Sequence, residues 1–178
     1  MKRVIISFCK IFSFLPALCM MFAIYSFSAQ DGVSSAGLSE KVSTEIVYIA
    51  DKVLDKEWSQ DQQAYYVERL NYPVRKAAHM TEYFLLAISV SFPLYVYGLR
   101  GFPLLIVAGA VCVGFACMDE YHQSFVEGRG PSKRDVCIDS IGAFIGIILV
   151  RIVCWTTLQM ARPKRRRRRG RQLNHNRR

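Results

Sequence analysis

Four long apolar runs divide this chain, and polar segments separate them. The runs cover residues 4–27, 77–97, 102–118 and 136–158, and each contains few charged side chains. A helix rises about 1.5 Å per residue and the hydrocarbon core of a bilayer is about 30 Å thick, so each run can cross a membrane with little adjustment. The pattern predicts an all-α integral membrane bundle of four transmembrane helices.

The first run also resembles a secretory signal, because Lys2 and Arg3 precede it and Ser26-Phe27-Ser28 is a candidate cleavage site. Its apolar stretch is longer than the roughly 7 to 15 residues of a signal core, so we expect an uncleaved first span. The third run is the shortest and, taken alone, would also fit a buried helix of a soluble protein. Four such runs in one chain favour a membrane protein over a soluble one.

The polar connection from residue 28 to residue 76 predicts short helices outside the membrane. Ser59 and Gln62 have the spacing of a capping box, which predicts a second helix that ends before Pro73. The helix before it is expected to be amphipathic and to lie on the membrane or over the bundle, either as a lid or as a solvated connection. Its apolar residues recur at helical spacing: Leu38, Val42, Ile46, Ile49 and Val53.

Charge predicts the orientation of the spans. The chain has 24 Lys and Arg against 14 Asp and Glu, and the net charge of +10 comes from residues 162–178, which contain ten basic residues and no acidic one. Basic residues that flank membrane spans stay in the cytoplasm. We therefore expect the cytoplasmic side to hold Lys2, Arg3, Arg100 and the tail, an arrangement that an even number of spans satisfies. The connections 28–76 and 119–135 then belong outside.

Polar side chains from distant segments would then meet at the outer border of the membrane. Ionisable groups in or beside a span are costly and by default indicate a functional site. His79, Glu82 and Tyr83 share one face of a helix, while Gly142 and Gly146 continue the face of Asp139 and permit close helix packing. The candidate polar site consists of Gln30, Lys76, His79, Glu82, Tyr83, Asp119, Glu120, Gln123, Arg129, Asp135 and Asp139.

These residues also carry a resemblance to a known family. Three motifs, within residues 27–30, 75–83 and 119–146, resemble those of the VanZ-like family of teicoplanin-resistance-type bacterial membrane proteins. The resemblance implies a VanZ-like membrane domain over residues 1–161, in a multi-pass protein of the bacterial cell membrane. It also implies a role at the cell envelope connected with glycopeptide antibiotics, without supplying a reaction. The basic tail, residues 162–178, lies outside the resemblance, and we expect it to be cytoplasmic and disordered.

Several functions fit the predicted polar site. Neighbouring carboxylates with His79 could support acid and base catalysis on a lipid-linked envelope substrate, while Arg129 and Lys76 could hold a phosphate or carboxylate. The same charges could instead pair and fix the helices in place. Because no nucleophile motif is recognisable, we favour a non-enzymatic module that binds an envelope, cell-wall or glycopeptide-related ligand.

Cofactor and metal chemistry have little support in the sequence. His79, Glu82 and His122 could join a divalent ion, but no paired-His or Cys-x-x-Cys spacing is present, and we expect no cofactor. His122 is expected to be a surface or packing residue. All six cysteines fall in apolar runs, where free Cys behaves as a small hydrophobe.

Membrane lipids are the expected partners of the chain. The Arg-rich tail is expected to contact anionic lipids of the inner leaflet. Nucleic acid is the weaker alternative, because no aromatic residue interleaves the basic residues of the tail to stack on bases.

Overall fold

The protein is all-α over the part of the chain that its computed structural model describes, residues 12–161, with side chains placed up to Thr156. No strand occurs within that range, which confirms that the fold is all-α. Residues 4–11 of the first predicted span and the tail 162–178 lie outside the described residues. The helices are α1 (Leu15–Ser28), α2 (Gly32–Leu54), α3 (Gln60–Val96), α4 (Phe102–Gln123) and α5 (Lys133–Ala161).

Four of these helices, α1, α3, α4 and α5, pack into a bundle. The helices α3 and α5 run in parallel, because Lys76 contacts Asp135 at one end and the Tyr95 hydroxyl donates to the Cys154 carbonyl at 3.4 Å towards the other. The ends of α1 and α3 that lie far from Lys76 also meet, where the rings of Phe14 and Tyr97 are 5.7 Å apart. Consequently α1 runs opposite to α3 and α5. The last turns of α1 and α4 meet, where Ser28 donates to Asp119, so α4 runs in the same direction as α1.

Two glycines let α5 approach the backbone of α3. A Cβ atom on Gly142 would collide with the carbonyl oxygen of Met80, and one on Gly146 would lie 2.6 Å from the carbonyl oxygen of Phe84. Glycine is needed at both positions because any side chain would push the helices apart. The sequence prediction that this pair packs within the bundle is confirmed.

The bundle buries small and medium side chains and leaves large apolar ones on its outside. Ile24, Leu86 and Ile147 are fully buried, whereas Phe22 and Trp155 are more than half exposed. By length and composition, α4 and the residues 133–156 of α5 could cross a membrane. The described part of α1 is apolar but has only 14 residues, and α3 mixes polar with apolar residues. Spans through α1 and α3 therefore stay predictions.

The predicted break before Pro73 is wrong. The capping box is present, with the Ser59 hydroxyl accepting from the Gln62 N–H at 3.3 Å, but the helix that begins there continues to Val96. An interior proline costs a helix about 3 kcal/mol, and packing against α2 before Pro73 and α5 after it offsets that cost. At 37 residues, about 55 Å, α3 is much longer than a bilayer core is thick.

The apolar face of α2 does not cover the bundle. Ser39, Ser43 and Val47 form its buried side, and α2 packs along the part of α3 that precedes the bundle. Small hydroxyl residues allow close packing because their hydroxyl groups form hydrogen bonds within their own helix. Ser43, for example, donates to the Ser39 carbonyl at 2.8 Å. The apolar residues that predicted this helix, Leu38, Val42, Ile46, Ile49 and Val53, are exposed.

Candidate functional site

Buried polar side chains gather at one end of the bundle, where α1 and α4 end and α5 begins beside the middle of α3. Asp119, Glu120, Gln123 and Asp139 each expose 7% of their surface or less. Acidic residues are almost never this buried unless they have partners. These residues and the polar groups that face them are termed the polar cluster below.

Ser28, at the end of α1, is the centre of a hydrogen-bond network with α4. Its hydroxyl donates to Oδ2 of Asp119 at 2.8 Å. The side-chain amide of Gln123 donates to the same carboxylate oxygen at 2.9 Å and to the Ser28 hydroxyl at 3.1 Å. Two donors therefore stabilise one oxygen of a buried carboxylate, and the network ties α1 to α4.

The loop between α4 and α5 covers this network. The Ser132 N–H donates to Oε2 of Glu120 at 2.7 Å, and Nη1 of Arg129 donates to the Ser28 carbonyl at 3.4 Å. Burial, followed by the like charge of Arg75, lowers the pKa of Arg129. The start of α2 also touches the loop, because the Gly32 N–H donates to the Glu127 carbonyl at 3.1 Å.

Two charged contacts border the cluster on the side of α3. Lys76 forms an ion pair with Asp135 at the start of α5. One turn further along α3, Nδ1 of His79 lies 3.5 Å from Oε2 of Glu82, which is too long for a good hydrogen bond. The first contact neutralises Asp135, while the second leaves Glu82 with an oxygen that is not satisfied.

Several buried polar atoms of the cluster have no hydrogen-bond partner among the residues that the structure describes. They are Oδ1 of Asp119, Oδ1 of Asp139, Oε2 of Glu82 and the hydroxyl of Tyr83. Tyr83 is fully buried. Buried polar groups in folded proteins are nearly always paired, and these four atoms are half of the eight buried side-chain atoms without a partner in the described residues.

Most of the predicted site residues meet in this region, whereas a place for Gln30 in the site stays a prediction. Gln30 is half-buried just beyond α1 and makes no side-chain hydrogen bond with the described residues. Ser28, which is central to the network, was not among the predicted site residues. The motif at residues 27–30 was the signal for it, since that motif contains Ser28. His122 is a packing residue, as expected, with its ring 4.5 Å from that of Tyr25.

The balance of charge decides which chemistry the cluster can support. Glu82, Asp119, Glu120, Asp135 and Asp139 bring five carboxylates, whereas three fixed cations lie near them: Lys76, Arg129 and Arg75. Excess buried carboxylate favours groups that donate hydrogen bonds or carry positive charge. Within residues 12–161, no group of three or more His, Cys, Asp or Glu side chains is placed to hold a metal ion.

Comparison with known proteins identifies the family. A search of curated proteins and a search of solved structures found no match. The family model described as VanZ/LLP1 matches residues 12–154, which include all five helices up to the last turns of α5. Together with the apolar helices, this match indicates a membrane protein. The chain belongs to the VanZ/LLP1 family.

Proposed function

We propose that this chain is a four-span protein of the bacterial cell membrane whose polar cluster faces outward and binds an envelope or glycopeptide-related ligand. The observation that carries the proposal is a set of buried atoms on Tyr83, Asp119 and Asp139 that have no hydrogen-bond partner among the described residues. Beside them lies Oε2 of Glu82, which meets only His79, at 3.5 Å. Three helices, α3, α4 and α5, supply these atoms at one end of the bundle. Membership of the VanZ/LLP1 family supports a link to glycopeptide resistance.

The chemistry of these atoms favours a ligand that donates hydrogen bonds. Three of the four belong to carboxyl groups, which accept hydrogen bonds when they are ionised. A ligand that presents hydroxyl, amide or amine groups would satisfy them, and such groups are abundant in amino sugars and peptides. Lys76 is already paired with Asp135, so Arg129 is the better placed cation for an anionic part of the ligand.

The test replaces each carboxylate by its neutral amide. We expect Glu82→Gln, Asp119→Asn and Asp139→Asn each to weaken saturable retention of teicoplanin or of envelope precursors on the purified protein. Glu120→Gln should weaken retention through the loop that Glu120 holds by accepting from the Ser132 N–H. A hydrogen bond to a charged group contributes about 1.5–3 kcal/mol, so each loss should be roughly tenfold or more. The same variants should lower the minimum inhibitory concentration of teicoplanin in bacteria that depend on this protein for resistance.

The matched control is Asp61→Asn, which removes a carboxylate from the exposed first turn of α3. It should leave retention and membrane insertion unchanged. Wild-type retention by all four cluster variants would refute the proposed site, as would failure of the wild-type protein to retain any of these ligands.

A second function is favoured by the contact of His79 with Glu82 beside the free oxygens of Asp119 and Asp139. A histidine close to carboxylates can move a proton during a reaction, so the cluster would then act as a membrane-embedded acid and base catalyst on a lipid-linked envelope substrate. Mass spectrometry of envelope lipids incubated with the purified protein distinguishes the two functions. An enzyme forms a product that the Glu82→Gln variant does not form, whereas a binding protein retains its ligand unchanged.

A further inference from the structure

A hollow of about 470 Å³ opens on the outer surface of the bundle between α3 and the first turns of α5. It is separate from the polar cluster, because its lining contains no cluster residue. The lining consists of Tyr72, Lys133, Arg134, Cys137 and Ile138. The hollow therefore combines a basic rim with an apolar floor.

The two basic residues of the hollow are not neutralised. Lys133 and Arg134 are exposed, and neither forms an ion pair with any residue in the described part of the chain. The acidic residue that follows them, Asp135, is occupied by Lys76, whose ammonium group also lies 5.2 Å from the centre of the Tyr72 ring. The hollow thus presents two free positive charges and no free carboxylate.

An apolar row leads from the hollow along α5. Its members follow Ile138 at spacings of three and four residues, which places them on one face of the helix. Ile141, Ile145, Ile148 and Ile152 are each about half exposed. Since α5 is one of the two helices that are long and apolar enough to cross a membrane, this row lies where acyl chains would pack.

We propose that the hollow binds an anionic phospholipid, with Lys133 and Arg134 on its phosphate and an acyl chain along the isoleucine row. The guanidinium fork of Arg134 suits two phosphate oxygens, while Lys133 adds a point charge. A soluble anion would use the basic rim alone, whereas a phospholipid uses the rim, the apolar floor and the row together. This inference does not depend on the function proposed for the polar cluster.

The experiment uses the full-length protein in nanodiscs of phosphatidylcholine that contain a small fraction of phosphatidylglycerol with a photoreactive acyl chain. After illumination, peptide mass spectrometry should find cross-links on the α5 row, between residues 138 and 152. Each basic residue near an anionic group strengthens binding about fivefold, so Lys133→Gln/Arg134→Gln should lower cross-linking at this row about 25-fold. Localisation to α5 separates this site from the Arg-rich tail.

The matched control is Lys41→Gln/Lys56→Gln, which removes two exposed positive charges from α2 and the turn after it. It should leave cross-linking of the α5 row unchanged. Unlabelled phosphatidylglycerol should compete with the probe. Equal labelling by a photoreactive phosphatidylcholine, or full labelling of the Lys133→Gln/Arg134→Gln variant, would overturn the proposal. Displacement of the probe by inorganic phosphate would assign the hollow to a soluble anion instead.

Discussion

Lys76 and Asp135 form an ion pair that joins α3 to α5 at the edge of the polar cluster, and their side chains are 16% and 20% exposed. Removal of one partner leaves the other charge largely buried without compensation, which costs more than the pair itself contributes. We expect Lys76→Gln and Asp135→Asn each to lower the free energy of unfolding by about 2 kcal/mol. The double variant should cost clearly less than the sum. Thermal unfolding of the purified protein in detergent measures all three.

A control pair with no contact shows whether such coupling is specific. Lys41→Gln and Asp61→Asn are exposed changes on α2 and α3. Their small effects on the free energy of unfolding should be additive. If the losses at Lys76 and Asp135 also add, the pair does not stabilise the bundle. If they couple while ligand retention stays normal in the double variant, this pair is architectural and the ligand site lies deeper, at Glu82, Tyr83, Asp119 and Asp139.

Ser28 illustrates what residue patterns in the sequence can and cannot locate. Ser26 and Ser28 both end the first apolar run, and hydrophobic spacing alone does not separate them, although only Ser28 lies within the motif at residues 27–30. In the structure, the Ser26 hydroxyl donates to the Phe22 carbonyl of its own helix, whereas Ser28 donates to Asp119, a residue 91 positions away. Only tertiary packing shows which partner Ser28 binds. Gln30 is the opposite case, since its polarity suggested the site, but its side chain makes no hydrogen bond with the described residues.

At the scale of elements, the contact of α3 with α5 depends on Gly142. A Cβ atom there would meet the carbonyl oxygen of Met80, which is part of the backbone and cannot turn away. We expect Gly142→Ala to destabilise the protein by about 1–3 kcal/mol, because the helices must separate to admit the methyl group. Separation would also move Asp139, one turn away, relative to Glu82. The midpoint temperature of thermal unfolding and the retention of ligand should therefore both fall.

Gly114 provides the control within a helix. A Cβ atom on Gly114 of α4 would meet nothing within 4 Å. Gly114→Ala should then stabilise the protein slightly, by up to about 1 kcal/mol, since alanine favours a helix over glycine. An equal loss of stability in both variants would show that the close approach at Gly142 is not what holds α3 to α5.

Element boundaries were predictable where caps and hydrophobic periods decide them, and not where packing overrides local preference. The capping box at Ser59 and the close approach at Gly142 follow from short patterns, and both are present. The uninterrupted passage of α3 through Pro73 depends on α2 and α5, which sequence patterns cannot supply. For the same reason, the periodic apolar residues of α2 located the helix correctly, yet Ser39 and Ser43 form its packed side.

On the scale of the whole molecule, helix direction brings the polar cluster together. The ends of α1 and α4, the start of α5 and the middle of α3 lie at one end of the bundle because successive bundle helices alternate in direction. The sequence could predict this alternation, because the basic flanks of the four predicted spans all belong on one side of the membrane. It could not predict which carboxylates find partners, because that depends on side-chain geometry at each contact.

The side of the membrane that the cluster faces is the last prediction. With all native cysteines replaced by alanine, Lys56→Cys in the exposed turn between α2 and α3 should react with a membrane-impermeant thiol reagent from outside intact cells. Gln172→Cys in the basic tail should react only after the cells are opened, because basic flanks stay in the cytoplasm. Mass tagging on a gel measures both. The reverse pattern would place the cluster at the cytoplasmic border, where it could not meet an external glycopeptide, and would leave only an intracellular ligand for its unpaired carboxylates.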